Sequence, residues 1–74
     1  MSVDELAVVL RERYDKAKRN EAALQIHLFG IEYAKEIRDG DFTIAELVEK
    51  AGMGSGYGTE ISKAVKLSDY VALK

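Results

Sequence analysis

Leu6, Val9, Leu10, Tyr14 and Ala17 recur at three- and four-residue steps. That spacing is one apolar stripe on a helix. Ser2 and Glu5 stand three apart just ahead of the stripe, the spacing of a capping box. A first helix is predicted over about 3–19. Its other face carries Arg11, Glu12, Asp15, Lys16, Lys18 and Arg19. Cations in the last turn suit the negative end of a helix.

Asn20 is read as the next N-cap, with Glu21 in the first turn. From Ala22 to Ile37 the apolar residues cover more than one stripe, as expected of a central helix with neighbours on several sides. The predicted span is 21–38. Gly30 lies inside it at a cost to helix stability, which points to close approach of a neighbouring helix or to a bend. Asp39-Gly40-Asp41 ends the segment as a turn.

A third helix is predicted over 44–51. Thr43 and Glu46 have capping-box spacing, and Phe42 with Leu47 has the spacing of a hydrophobic staple. Ile44, Leu47, Val48 and Ala51 face inward, and Gly52 supplies a left-handed terminus. A fourth helix is predicted over 56–66, with Ile61, Ala64 and Val65 inward. Residues 67–74 read two ways. Ser68 or Asp69 caps a further short turn, or Tyr70-Val71-Ala72-Leu73 forms a short terminal strand. The predicted fold is all-α: one domain over 1–74, a compact four- to five-helix bundle whose C-terminal segment is a helix-turn-helix-like unit.

Composition narrows the chemistry. The chain has 74 residues, so one domain fits and two do not. It has no cysteine, which excludes disulfides and thiolate metal sites. His27, the lone histidine, lies in an apolar helix and reads as a hydrogen-bonded core or boundary residue. Asp39 and Asp41 lack the remaining ligands of a calcium loop. No serine or threonine has a visible base partner, so no enzyme, cofactor or metal is expected. No apolar run reaches membrane-span length and the N-terminus is not a basic leader, so the expected location is cytoplasmic. A net charge of -2 argues against a strong non-specific polyanion binder, but it is compatible with a specific reader that has a local basic face.

Thr43-Ile44-Ala45-Glu46-Leu47-Val48-Glu49-Lys50-Ala51-Gly52-Met53 resembles the first helix and turn of a helix-turn-helix. Gly52 makes the turn, Met53 plugs the space between helices, and Ile61 stands nine residues beyond Gly52. Two positions depart from that pattern. Val48 stands where the family carries Ala or Gly. Gly58 stands where it carries an apolar core residue. The Gly54-Ser55-Gly56-Tyr57-Gly58 stretch then lengthens the turn, and Tyr57 becomes the candidate for the vacant core position. Across Ile26-His27-Leu28-Phe29-Gly30 and Tyr57-Gly58-Thr59-Glu60-Ile61, the chain also resembles a small bacterial helix-turn-helix-like family.

The resemblance implies double-stranded DNA as ligand, with a homodimer reading two half-sites. Candidate contacts are Ser55, Tyr57, Thr59, Ser62, Lys63 and Lys66. Their hydroxyls suit phosphates or base edges, and the two lysines suit phosphates. Glu60 suits a phosphate badly, and the helix offers neither Arg nor Asn for purines. The competing function is a protein-interaction or assembly module that keeps the shape without nucleic acid. The cluster Arg11, Arg13, Lys16, Lys18 and Arg19 reads as a solvated face with i,i+4 pairing, or else as a second contact to DNA or to an acidic partner.

Overall fold

Five helices make up the computed structural model, which describes residues 1–73. They are α1 (Val3–Lys16), α2 (Ala22–Glu32), α3 (Ala34–Asp39), α4 (Ile44–Lys50) and α5 (Gly56–Leu67). α1 packs on α2 and on α4, and α5 packs on the same two helices. The four close a ring around one core, and α3 rests against α2 and α5. Leu6, Leu10, Ile26, Phe29, Leu47 and Ile61 meet inside the ring and are fully buried. Each such side chain contributes about 1.5–3 kcal/mol when removed from water.

Both capping boxes form. The Ser2 hydroxyl accepts from the Glu5 amide at 3.1 Å, and the Glu5 carboxylate accepts from the Ser2 amide at 2.9 Å. Thr43 and Glu46 do the same at the start of α4.

Several helix boundaries differ from the sequence expectation. The first helix ends at Lys16, not at 19, because Ala17 takes extended angles (ψ 140°). Asn20 is not a cap. It adopts a left-handed φ of 68° inside a turn closed by the Glu21 amide donating to the Lys18 carbonyl at 2.9 Å. Asparagine tolerates that conformation better than most residues. Glu21 takes the N-cap position of α2 with no side-chain hydrogen bond.

The predicted 21–38 helix is two helices broken at Tyr33, whose φ of -104° and ψ of 20° leave the helical range. The Tyr33 ring packs on Phe29 at 5.2 Å and lies under the Arg13 guanidinium at 5.4 Å. Gly30 keeps its helical conformation in α2, so the bend is not at the glycine. Of the two readings of residues 67–74, the short terminal strand is absent among the described residues. Residues 68–70 instead continue α5 as a turn, with Tyr70 and Val71 amides donating to the Leu67 carbonyl. A strand needs a partner edge, and an all-helical chain offers none. The expectation for Lys74 lies outside the described residues.

Candidate nucleic-acid interface

The region begins where α4 stops. Gly52 has a φ of 72°. Its amide donates to the Glu49 carbonyl at 2.9 Å, and the Met53 amide donates to the Val48 carbonyl at 3.1 Å. These two bonds are a Schellman motif, which needs a left-handed residue and so favours a glycine. Arg11 of α1 completes the terminus. Its Nη1 donates to the Gly52 carbonyl at 3.0 Å and reaches the Ala51 carbonyl at 3.5 Å. The Arg11 guanidinium also lies 5.6 Å from the Tyr14 ring centroid and donates to Asp15. α1 thus holds the end of α4 in place.

Met53 and Gly54 then lead into α5. Its first turn is tightened by i→i+3 bonds, with the Tyr57 amide donating to Gly54 and the Gly58 amide to Ser55. Between α4 and α5 lies an open groove of about 840 Å³. Ile44, Val48, Met53 and Gly58 give it an apolar floor. Ala45 and Glu49 form the α4 wall, and Ser55, Thr59, Ser62, Lys63 and Lys66 form the α5 wall. A β-carbon on Gly58 would stand 3.7 Å from Ile44 Cγ2 and 4.0 Å from Val48 Cγ2. The missing side chain therefore opens the floor.

Charge is divided along α5. Lys63 and Lys66 stand exposed on the groove wall. Glu60 leaves that wall and turns toward α2, where its carboxylate accepts from His27 Nε2 at 2.7 Å. That hydrogen bond, and secondly the nearby Lys63 charge, hold the Glu60 carboxyl below its ordinary value. Lys63 Nζ lies 3.7 Å from Glu60, so this cation sits between the groove face and the Glu60 face of α5.

A family model described as an HTH-like domain matches residues 2–74. The chain belongs to this family. No curated protein and no solved structure matches it.

Within the HTH-like domain, five of the six sequence-predicted contacts lie together: Ser55, Thr59, Ser62, Lys63 and Lys66. Tyr57 does not join them. It is half-buried against the core and meets Tyr14 edge-on, with centroids 5.4 Å apart. Its hydroxyl donates to the Tyr14 hydroxyl at 3.4 Å, and this bond is the main reason its pKa is raised. Tyr57 therefore contributes to packing beside the departure at Gly58. The floor residues Ile44 and Met53, and the wall residues Ala45 and Glu49, do not stand out as site residues in the sequence. Their one sequence signal is position, since Ala45 and Glu49 stand four apart beside the inward face of α4.

The basic cluster of α1 is dispersed. Arg11 pairs with Asp15 at i,i+4, and Arg13 pairs with Glu32 across helices. Lys16, Lys18 and Arg19 stay in solvent or near it. No helix among the described residues is long and apolar enough to cross a membrane, and no group of three metal-ligating side chains occurs among them.

Proposed function

We infer that α4 and α5 form a helix-turn-helix unit that binds double-stranded DNA, with α5 as the contacting helix. The chain then acts by binding rather than catalysis, as a small regulator. One observation carries the reading: the hydroxyls of Ser55, Thr59 and Ser62 share a solvent-facing wall with Lys63 and Lys66, while the acid of that helix stays off the wall, bonded to His27 and 3.7 Å from Lys63. Hydroxyls and lysines on one helical face are the complement of a phosphate backbone. Membership of the HTH-like domain family supports it. One such helix spans few base pairs, so paired modules on two half-sites are the expected arrangement.

The test is a titration of mixed short duplexes at low and moderate salt, with a Lys63→Ala, Lys66→Ala variant beside the native chain. Binding that weakens with salt is expected, with the salt slope reduced by about 0.9 for each phosphate no longer neutralised in the variant. Absence of binding at low salt rejects the reading.

The apolar floor favours a second reading. Ile44, Val48, Met53 and Gly58 offer phosphate nothing, and an apolar groove rimmed by polar residues is a docking surface for protein. The net charge of -2 agrees with it.

A further inference from the structure

We propose that the α4–α5 groove seats an acidic amphipathic helix of a partner protein, with the partner's acidic flank lying along Lys63 and Lys66. The proposal does not require DNA binding, and the two can fail separately.

Shape comes first. The α5 wall runs from Ser55 to Lys66 in steps of four, three and four residues, so one face stays on the groove throughout. That run is about 16 Å long at the helical rise, the length of a three-turn helix. The floor is apolar, and Gly58 contributes no side chain to it. A ridge of apolar side chains at i, i+3, i+4 and i+7 fits such a trough. A groove of about 840 Å³ admits those side chains without displacing the fully buried core beneath.

Charge selects the occupant. The α5 wall carries Lys63 and Lys66 at i,i+3, and the α4 wall carries Glu49. The walls are therefore of opposite sign. A visiting helix with acids on one flank pairs with the lysines only when that flank faces α5. In the reverse orientation its acids meet Glu49. Such asymmetry fixes direction more than it adds affinity. Glu60 stays off the groove wall: one of its carboxylate oxygens is bonded to His27 at 2.7 Å and the other lies 3.7 Å from Lys63, whose charge is thereby partly matched while it still lines the groove.

The probe is a synthetic helical peptide of three to four turns. It has leucines at i, i+3, i+4 and i+7 and glutamates along one flank. A matched peptide carries lysines on that flank. Each is titrated into isotopically labelled protein, and backbone amide shifts are followed by NMR. The acidic peptide should move saturable signals at Val48, Met53, Gly58, Ser62 and Lys66. The basic peptide should bind about tenfold more weakly. Gly58→Leu fills the floor and should abolish the shifts. A Lys63→Glu, Lys66→Glu variant, altered only at exposed positions, should reverse the preference in favour of the basic peptide.

Binding by neither peptide, equal binding by both, or shifts centred elsewhere on the domain would overturn the proposal. So would an unreversed preference in the charge-swapped variant. Gly58→Leu also separates the two activities. Its lysines are intact, so salt-dependent DNA binding should persist where peptide binding is abolished. DNA binding without peptide binding rejects the groove proposal alone. Peptide binding without DNA binding rejects the DNA reading alone.

Discussion

Gly30 of α2 and Ala64 of α5 stand so close that a β-carbon on Gly30 would lie 2.5 Å from the Ala64 β-carbon and 3.2 Å from the Ile61 carbonyl oxygen. The central helix packs on α5 at this point. Gly30→Ala gains about 0.5–1 kcal/mol of helix propensity. It must also push α2 and α5 apart, and overpacking of this kind costs about 1–3 kcal/mol. Net destabilisation is expected in chemical denaturation. Ala64→Gly removes the opposing methyl, so the double variant should be more stable than additivity allows. Additive losses in a double-mutant cycle would show that this contact does not set the α2–α5 distance.

Gly58 and Gly52 should respond oppositely to alanine. Gly58 is helical and has ordinary contact distances around a new β-carbon, 3.7 and 4.0 Å. Gly58→Ala should stabilise the domain by about 0.5–1 kcal/mol. Gly52 holds a φ of 72° in the terminus of α4, and Gly52→Ala should cost about 1–2 kcal/mol. Thermal or urea unfolding of both variants reads the two signs directly. A loss at Gly58 would mean that the groove floor is not open.

What could be read from the sequence was local. Ser2 with Glu5 and Thr43 with Glu46 announce helix starts because a capping box lies within four residues. Gly52 announces the end of α4 for the same reason. Gly30 was legible as a site of close approach because an interior helical glycine needs a compensating contact. The break at Tyr33 was not legible. Ile26, Phe29, Gly30, Ala34 and Ile37 keep helical spacing straight through it, so periodicity reads one helix. The ring of Tyr33 is placed by Phe29 and Arg13, and the arginine stands on a different helix. The early end of α1 was hidden likewise, since Ala17, Lys18 and Arg19 are all good helix formers. At the candidate site, helical spacing grouped the wall of α5. It could not show that Glu60 and His27, 33 positions apart, bond each other, or that Tyr57 turns to Tyr14.

Acid should weaken the domain partly through Glu60. Its folded pKa lies below the ordinary 4.5, chiefly because of the His27 hydrogen bond and then the Lys63 charge. A depressed carboxyl contributes stability that is fully present above its unfolded pKa and is lost as pH falls through the folded value. Glu5, lowered by the Ser2 hydrogen bonds, has the same sign. The expected loss therefore sets in below about pH 4.5. Glu60→Gln should flatten that limb of the stability–pH curve and leave the Glu5 contribution. An unchanged slope in the variant would mean that the pair with His27 is not retained in solution.

Arg11 should matter to the α4 terminus more than its exposed position suggests. It supplies the one side chain that donates to the Gly52 and Ala51 carbonyls among the described residues, and it crosses from α1 to do so. A guanidinium can serve both carbonyls while still holding Asp15 and lying over Tyr14, whereas a lysine ammonium is a point charge without that fork. Arg11→Lys should therefore lose a fraction of the effect and Arg11→Ala more of it, by about 0.5–1.5 kcal/mol. The loss should be local before it is global. Amide hydrogen exchange at Gly52 and Met53, whose Schellman bonds depend on the terminus keeping its shape, should accelerate in Arg11→Ala. Exchange at Leu10 and Phe29 in the core should follow only the change in global stability. If the Gly52 and Met53 amides keep their native protection, the terminus is held by the left-handed glycine alone and α1 does not position the turn that leads into α5.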